Sequence, residues 1–125
     1  MQYPHAAILH TAHGRLSLQL ARAERFDQRL TGLIGYPWWK QCPPRHGLWL
    51  PHCRSVHGLG VWAPLLLLYC IDLPGHDTHH QVVETDILRP GRISACRQAA
   101  HTLEMAPDSW HPGQVQAGDW LEWCP

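Results

Sequence analysis

Leu65-Leu66-Leu67-Leu68-Tyr69-Cys70-Ile71, followed by Asp72 and the turn signal Leu73-Pro74-Gly75, decides how this sequence is read. Leucine favours helix by intrinsic propensity. The run is short, however, and Pro64 stands immediately before it. A short apolar run between turn signals fits a strand buried on both faces. Gln81-Val82-Val83-Glu84-Thr85 then reads as its returning partner.

Working outward, the same kind of signal recurs on both sides. Ala6 to Ala12 is largely apolar, His13-Gly14 is a turn signal, and Leu16-Ser17-Leu18-Gln19-Leu20 alternates strictly. This predicts a β-hairpin. Phe26, Leu30, Leu33 and Ile34 share one helical face, and Gly35 with Pro37 closes the pattern. This predicts the one main helix. Gly47 to Leu50, Thr102 to Met105 and Trp120 to Trp123 read as further short strands, and Pro51 to Gly60 as an irregular segment. Ser94 is placed to cap a short helix reaching Ala99 or His101. The expected fold is mostly β (α+β): a small curved sheet or partly closed β-barrel of about seven strands, with the main helix packed on it.

The chain has 125 residues, 45% of them apolar and 16% charged, with a formal net charge of zero. One domain spanning 1–125 accommodates this, and a disordered chain is excluded. Nucleic acid is not an expected partner, because the charge balance lacks a basic excess. Eleven histidines would carry the net charge to +11 if all were protonated, so sensitivity to mild acid is expected. Val61 to Ile71 is about half the length a membrane span requires and contains Pro64. Met1 to His13 has no basic start before an apolar run, so no secretory signal is expected. Five cysteines with no Cys-x-x-Cys pair then fit reduced thiols in the cytoplasm.

Several residue groups resemble a known family. They are Gly32-Leu33, Gly47-Leu48-Trp49-Leu50, Pro51-His52-Cys53-Arg54-Ser55-Val56-His57 and Tyr69-Cys70-Ile71-Asp72. Further along come Leu88-Arg89-Pro90-Gly91-Arg92, Leu103-Glu104-Met105 and Gly118-Asp119-Trp120-Leu121. Together, from about Leu18 to Trp123, they resemble the prokaryotic family called domain of unknown function 192. The resemblance implies a compact, mostly β, barrel-like domain and no particular reaction. The sequence departs from that family where Gly58-Leu59-Gly60-Val61 follows the histidine and where Leu65 and Leu66 stand in place of a carboxylate.

Four constellations bear on chemistry. Cys53 and His57 lie four residues apart, so an imidazole base beside a thiol nucleophile is one reading, with the amides of Gly58 and Gly60 as oxyanion donors. The plainer reading buries Cys53 and ties His57 to its own loop. His46, His52, Cys53 and His57 offer a zinc-compatible ligand set, although their spacing matches no standard module. His76, His79 and His80 cluster near a hairpin tip and read as an exposed turn. Seven tryptophans, Trp62 and the adjacent Trp38 and Trp39 among them, are expected to fill the barrel and roof its ends, leaving some exposed for a ligand. Arg92 is suited to an anion, or to a bland ion pair with Glu104 or Asp119.

The favoured function is therefore non-catalytic binding of a small molecule or protein. Its site is the loop carrying Cys53, Ser55 and His57, with Arg92 and Trp62 beside it. No cofactor and no metal is expected. A cysteine-dependent enzyme using Cys53 and His57, and a metal protein using His46, His52, Cys53 and His57, are the alternatives.

Overall fold

The computed structural model describes residues 2–23, 42–58 and 63–125. The strands are β1 (His5–Thr11), β2 (Gly14–Arg22), β3 (His46–Pro51), β4 (Ser55–His57), β5 (Leu65–Leu73), β6 (His76–Leu88), β7 (Ile93–Ala95), β8 (His101–Met105) and β9 (Trp120–Trp123). Seven of them close into a barrel in the order β1-β2-β3-β8-β5-β6-β9, while β4 and β7 form a separate two-stranded sheet. Among the barrel pairs only β2–β3 is parallel. Closure pairs β9 with β1, so the barrel has no free edge.

Both predicted hairpins form. Gly75 supplies the positive φ of 78° that the turn between β5 and β6 requires. The predicted strands at Gly47–Leu50, Thr102–Met105 and Trp120–Trp123 lie within β3, β8 and β9. The predicted helix over Phe26–Ile34, the Trp38-Trp39 pair, Gly60 and Trp62 lie outside the described residues.

Two cores explain the run in β5. Leu68 and Cys70 face the barrel interior with Leu9, Leu18, Trp49, Val82, Leu103 and Leu121. Leu65, Leu67 and Tyr69 face the other way and pack with Val56 of β4 and the flanking Cys53 and Cys96. The second sheet thus covers the outside of β5, which buries the strand on both faces. Each fully buried leucine contributes about 2 kcal/mol on transfer from water.

Two expectations need correction here. Ser94 does not cap a helix; it lies in β7. The Tyr69 hydroxyl donates to Ser94 Oγ at 2.6 Å, and Ser94 Oγ in turn donates to Asp86 Oδ2. This chain ties β7 to β5 and β6, and it outweighs the local helix signal. The segment Pro51–Gly60 is not wholly irregular either, since β4 lies within it and pairs with β7.

Candidate functional site

Strand alternation puts every second residue inside the barrel, and the inward series ends in polar residues at one mouth. Asp72 follows Cys70, His80 precedes Val82, His101 precedes Leu103 and Trp123 follows Leu121. The registers Cys70↔His101, Asp72↔His80 and His80↔Leu121 bring these four strands together. His80 and His101 are buried, at 7% and 6% exposure, whereas Asp72 is exposed.

Hydrogen bonds fix the tautomers. The Trp123 indole N–H donates to His80 Nε2 at 2.8 Å, so that nitrogen carries no proton. His80 Nδ1 therefore holds the proton and donates to Asp72 Oδ1 at 2.9 Å. Likewise the His52 amide donates to His101 Nδ1 at 3.1 Å, and His101 Nε2 donates to the same Asp72 oxygen at 2.8 Å. Trp49 lies beneath both rings, with centroids at 4.8 and 5.1 Å. The Arg22 guanidinium lies 5.0 Å from the Trp123 ring centroid.

Electrostatics agree with this pattern. Burial pushes the His80 pKa down, and the neighbouring His101 and Arg22 add to this against the opposing pull of Asp72. Burial disfavours the Asp72 carboxylate, but the bonds from His101 and His80 outweigh it and hold its pKa below the ordinary range.

The ligand atoms of Asp72, His80 and His101 all lie within 4.8 Å of one another, as a metal site would need. Their outer bonds do not suit a metal. A metal-bound neutral imidazole normally donates its second N–H to an acceptor, but here both second nitrogens face donors. Nor does either ring have a free lone pair for general-base work. The cluster is a hydrogen-bonded plug that roofs the interior.

The loop residues singled out from the sequence lie elsewhere. Cys53 is 6% exposed, packs in the outer core, and its thiol donates to Ser55 O at 3.1 Å. That is the setting of an unreactive buried cysteine. Ser55 is exposed and His57 half-buried; they pair with Ala95 and Ile93. The proposed metal set does not assemble. His46 opens β3 and His52 stands just past its last residue, Pro51, so about 17 Å of extended strand separates them. His46 Nδ1 bonds Pro44 O instead, at 3.0 Å.

The other histidine cluster also divides, because alternation separates neighbours. His80 turns inward, while His79 lies outside, its Nε2 3.5 Å from Glu122 Oε2. Glu122 also bonds His10, whose ring stacks on Trp120 at 3.8 Å. Arg92 pairs with neither expected carboxylate. Glu104 is buried at 1% exposure, and Asp119 Oδ2 accepts from the Gln116 amide at 2.9 Å, as a turn cap does.

The opposite end of the barrel holds a groove of about 560 Å³. Leu66, Ile87, Pro107, Trp110 and Val115 give it an apolar wall, with Thr85, Asp86 and Arg89 at the polar side. Sequence patterning missed it because its lining joins β5, β6 and the long segment after β8. The Cys53–His57 loop does reach it indirectly. Gly58 donates to Arg92 O at 2.7 Å and accepts from the Gly91 amide at 2.9 Å, which holds the 89–92 turn in place. A Cβ at Gly58 would sit 2.3 Å from Arg89 O, so only glycine fits there.

No family model matches the sequence, and no curated protein matches it. Two solved structures are similar. A candidate transcription regulator from Sinorhizobium meliloti 1021 has 22% identity over 98% of this chain and 96% of its own, with a TM-score of 0.76. A protein of unknown function from Novosphingobium aromaticivorans DSM 12444 has 16% identity over 94% of this chain and 84% of its own, with a TM-score of 0.68. At these identities the likeness establishes the fold: both neighbours share the architecture of this mostly β, closed seven-stranded barrel. Among the described residues no helix is long and apolar enough to cross a membrane.

Proposed function

We propose that this protein is a non-catalytic module that binds a small molecule in the groove opposite the histidine plug. The observation that carries the reading is the groove itself. Its volume of about 560 Å³ lies within the range of small-molecule sites, and its wall is apolar with a few polar groups at one side.

The chemistry elsewhere favours binding over catalysis. The nitrogens of His80 and His101 are all engaged. Burial pushes the Cys70 thiol up to about 12 and raises that of Cys42 as well. The Cys53–His57 loop then has a supporting role, holding the turn that carries Arg89. Kinship with the domain of unknown function 192 family stays a proposal carried by its motif residues, and it assigns no reaction.

A fragment screen by thermal shift tests the reading. Fragments that raise the melting temperature of the wild type are expected to lose their effect on Ile87→Trp, which fills the groove from an exposed position of 40% accessibility. A wild type that responds to no fragment, or a variant that responds equally, would overturn it.

A further inference from the structure

The groove has a charge preference that its apolar wall conceals. One acidic and one basic side chain line it, Asp86 and Arg89, together with the imidazole of His111. Asp86 and Arg89 are not equivalent. Asp86 is already satisfied, since its Oδ1 accepts from the Ile87 amide at 2.8 Å and its Oδ2 from Ser94 Oγ. Ser94 is buried and bonded on its other side to Tyr69, so this arrangement belongs to the scaffold.

Arg89 is the opposite case. Its guanidinium makes no ion pair and no side-chain hydrogen bond among the described residues. Its backbone, by contrast, is fixed: the carbonyl accepts from Arg92 N at 3.0 Å and Gly58 packs against it. A pinned turn thus presents a planar cation, with its donors uncommitted, at the side of an apolar groove. Trp110, half-buried, supplies an aromatic surface in the same groove.

Resting on the reading of the groove as a ligand site, we infer that its ligand class is an organic anion with a planar apolar body. A carboxylate suits best, because a guanidinium fork matches two carboxylate oxygens. The body packs among Leu66, Ile87 and Trp110 while the carboxylate meets Arg89. Asp86 has less to offer a cationic ligand, because each of its oxygens already accepts a hydrogen bond that ties it to the scaffold, whereas the Arg89 donors are uncommitted.

The test compares three probes of one shape: naphthoate, neutral naphthamide and cationic naphthylmethylamine. Affinity is measured by calorimetry or NMR titration on wild type, Arg89→Gln and Ile87→Trp. Both positions are exposed, and each variant's circular dichroism confirms its fold. Naphthoate is expected to bind about ten-fold or more tightly than naphthamide, in line with a charge-assisted contact. That margin disappears in Arg89→Gln, and all binding is lost in Ile87→Trp. Equal binding of naphthoate and naphthamide to wild type, lost on filling the groove, overturns the anion preference and leaves the groove standing. Tightest binding by the amine also overturns it. No binding of any probe, or binding unaffected by Ile87→Trp, overturns the groove itself.

Discussion

Glu104 gives the sharpest measurable consequence of this architecture. It sits in β8 between Leu48 of β3 and Leu67 of β5, at 1% exposure. Its Oε1 has no hydrogen-bond partner among the described residues. Burial alone pushes its pKa from 4.5 to about 8, because ionising it there would strand a charge out of water. The unfolded chain releases this proton near the ordinary value. Stability is therefore fully present below pH 4.5 and is lost as pH rises through about 8. At about 1.4 kcal/mol for each tenfold change in acidity, the loss across that window is about 5 kcal/mol. This is large against a typical net stability of about 5–15 kcal/mol. Glu104→Gln keeps the shape and removes the ionisation. A buried amide costs about 1–3 kcal/mol, but that cost does not change with pH. The informative quantity is thus the difference between the two proteins as pH changes. Urea unfolding at about pH 5 and pH 8 should show the variant gaining about 3–4 kcal/mol on the wild type between the two. The histidines titrate in both proteins and cancel. Parallel stability curves would refute the reasoning and mean that Glu104 is ionised in the folded state.

Four further outcomes follow from the two cores and the plug. Trp123→Phe removes the donor that keeps His80 Nε2 unprotonated, so NMR should show the His80 titration moving up while burial still holds it below the ordinary value, with about 1–2 kcal/mol of stability lost at neutral pH. Asp72→Asn removes a carboxyl that ionises more readily in the fold than its ordinary 3.8; its stabilisation is present above that pH and lost below it. Denaturation should show a loss of less than about 1 kcal/mol near neutrality, since the group is largely exposed and screened, and none in strong acid. An aromatic disulfide reagent should label exposed Cys124 first and leave fully buried Cys70 unlabelled until unfolding; rapid labelling of Cys53 in the native state would revive its reading as a nucleophile. Gly58→Ala should cost about 1–3 kcal/mol by thermal melt, because its Cβ meets the Arg89 carbonyl.

Much of the strand order along the chain is written locally. His13-Gly14 and Pro74-Gly75 mark turns, and Leu16-Ser17-Leu18-Gln19-Leu20 shows its buried face by alternation alone. The run Leu65–Ile71 announces burial on both faces. What covers the second face is not local: β4 and β7 are three residues each and meet across a long separation. Ser94 misleads for a related reason. The residues after it have helical character, while the hydroxyls and carboxylate that hold it in a strand come from Tyr69 and Asp86 on other strands.

The plug was hidden by distance along the chain, yet the signal for each member was present. Once Val82 is placed inside the barrel, a period of two places His80 inside as well. The same step carries Cys70 to Asp72, Leu103 to His101, and Leu121 to Trp123. Clustering by sequence proximity groups His80 with His76 and His79, and the pleat separates His79 from His80 as surely as it joins His80 to His101. The alternation cannot say which strands are neighbours, since that depends on which edges pair when the barrel closes. The groove demands still more, because its cation is presented by a turn that Gly58, from a different segment, holds in place. Gly58, read from the sequence as an oxyanion donor, and Arg92, read as lying beside the binding loop, therefore act one step back from the proposed ligand: Gly58 and the Arg92 backbone fix the turn that carries Arg89 at the groove.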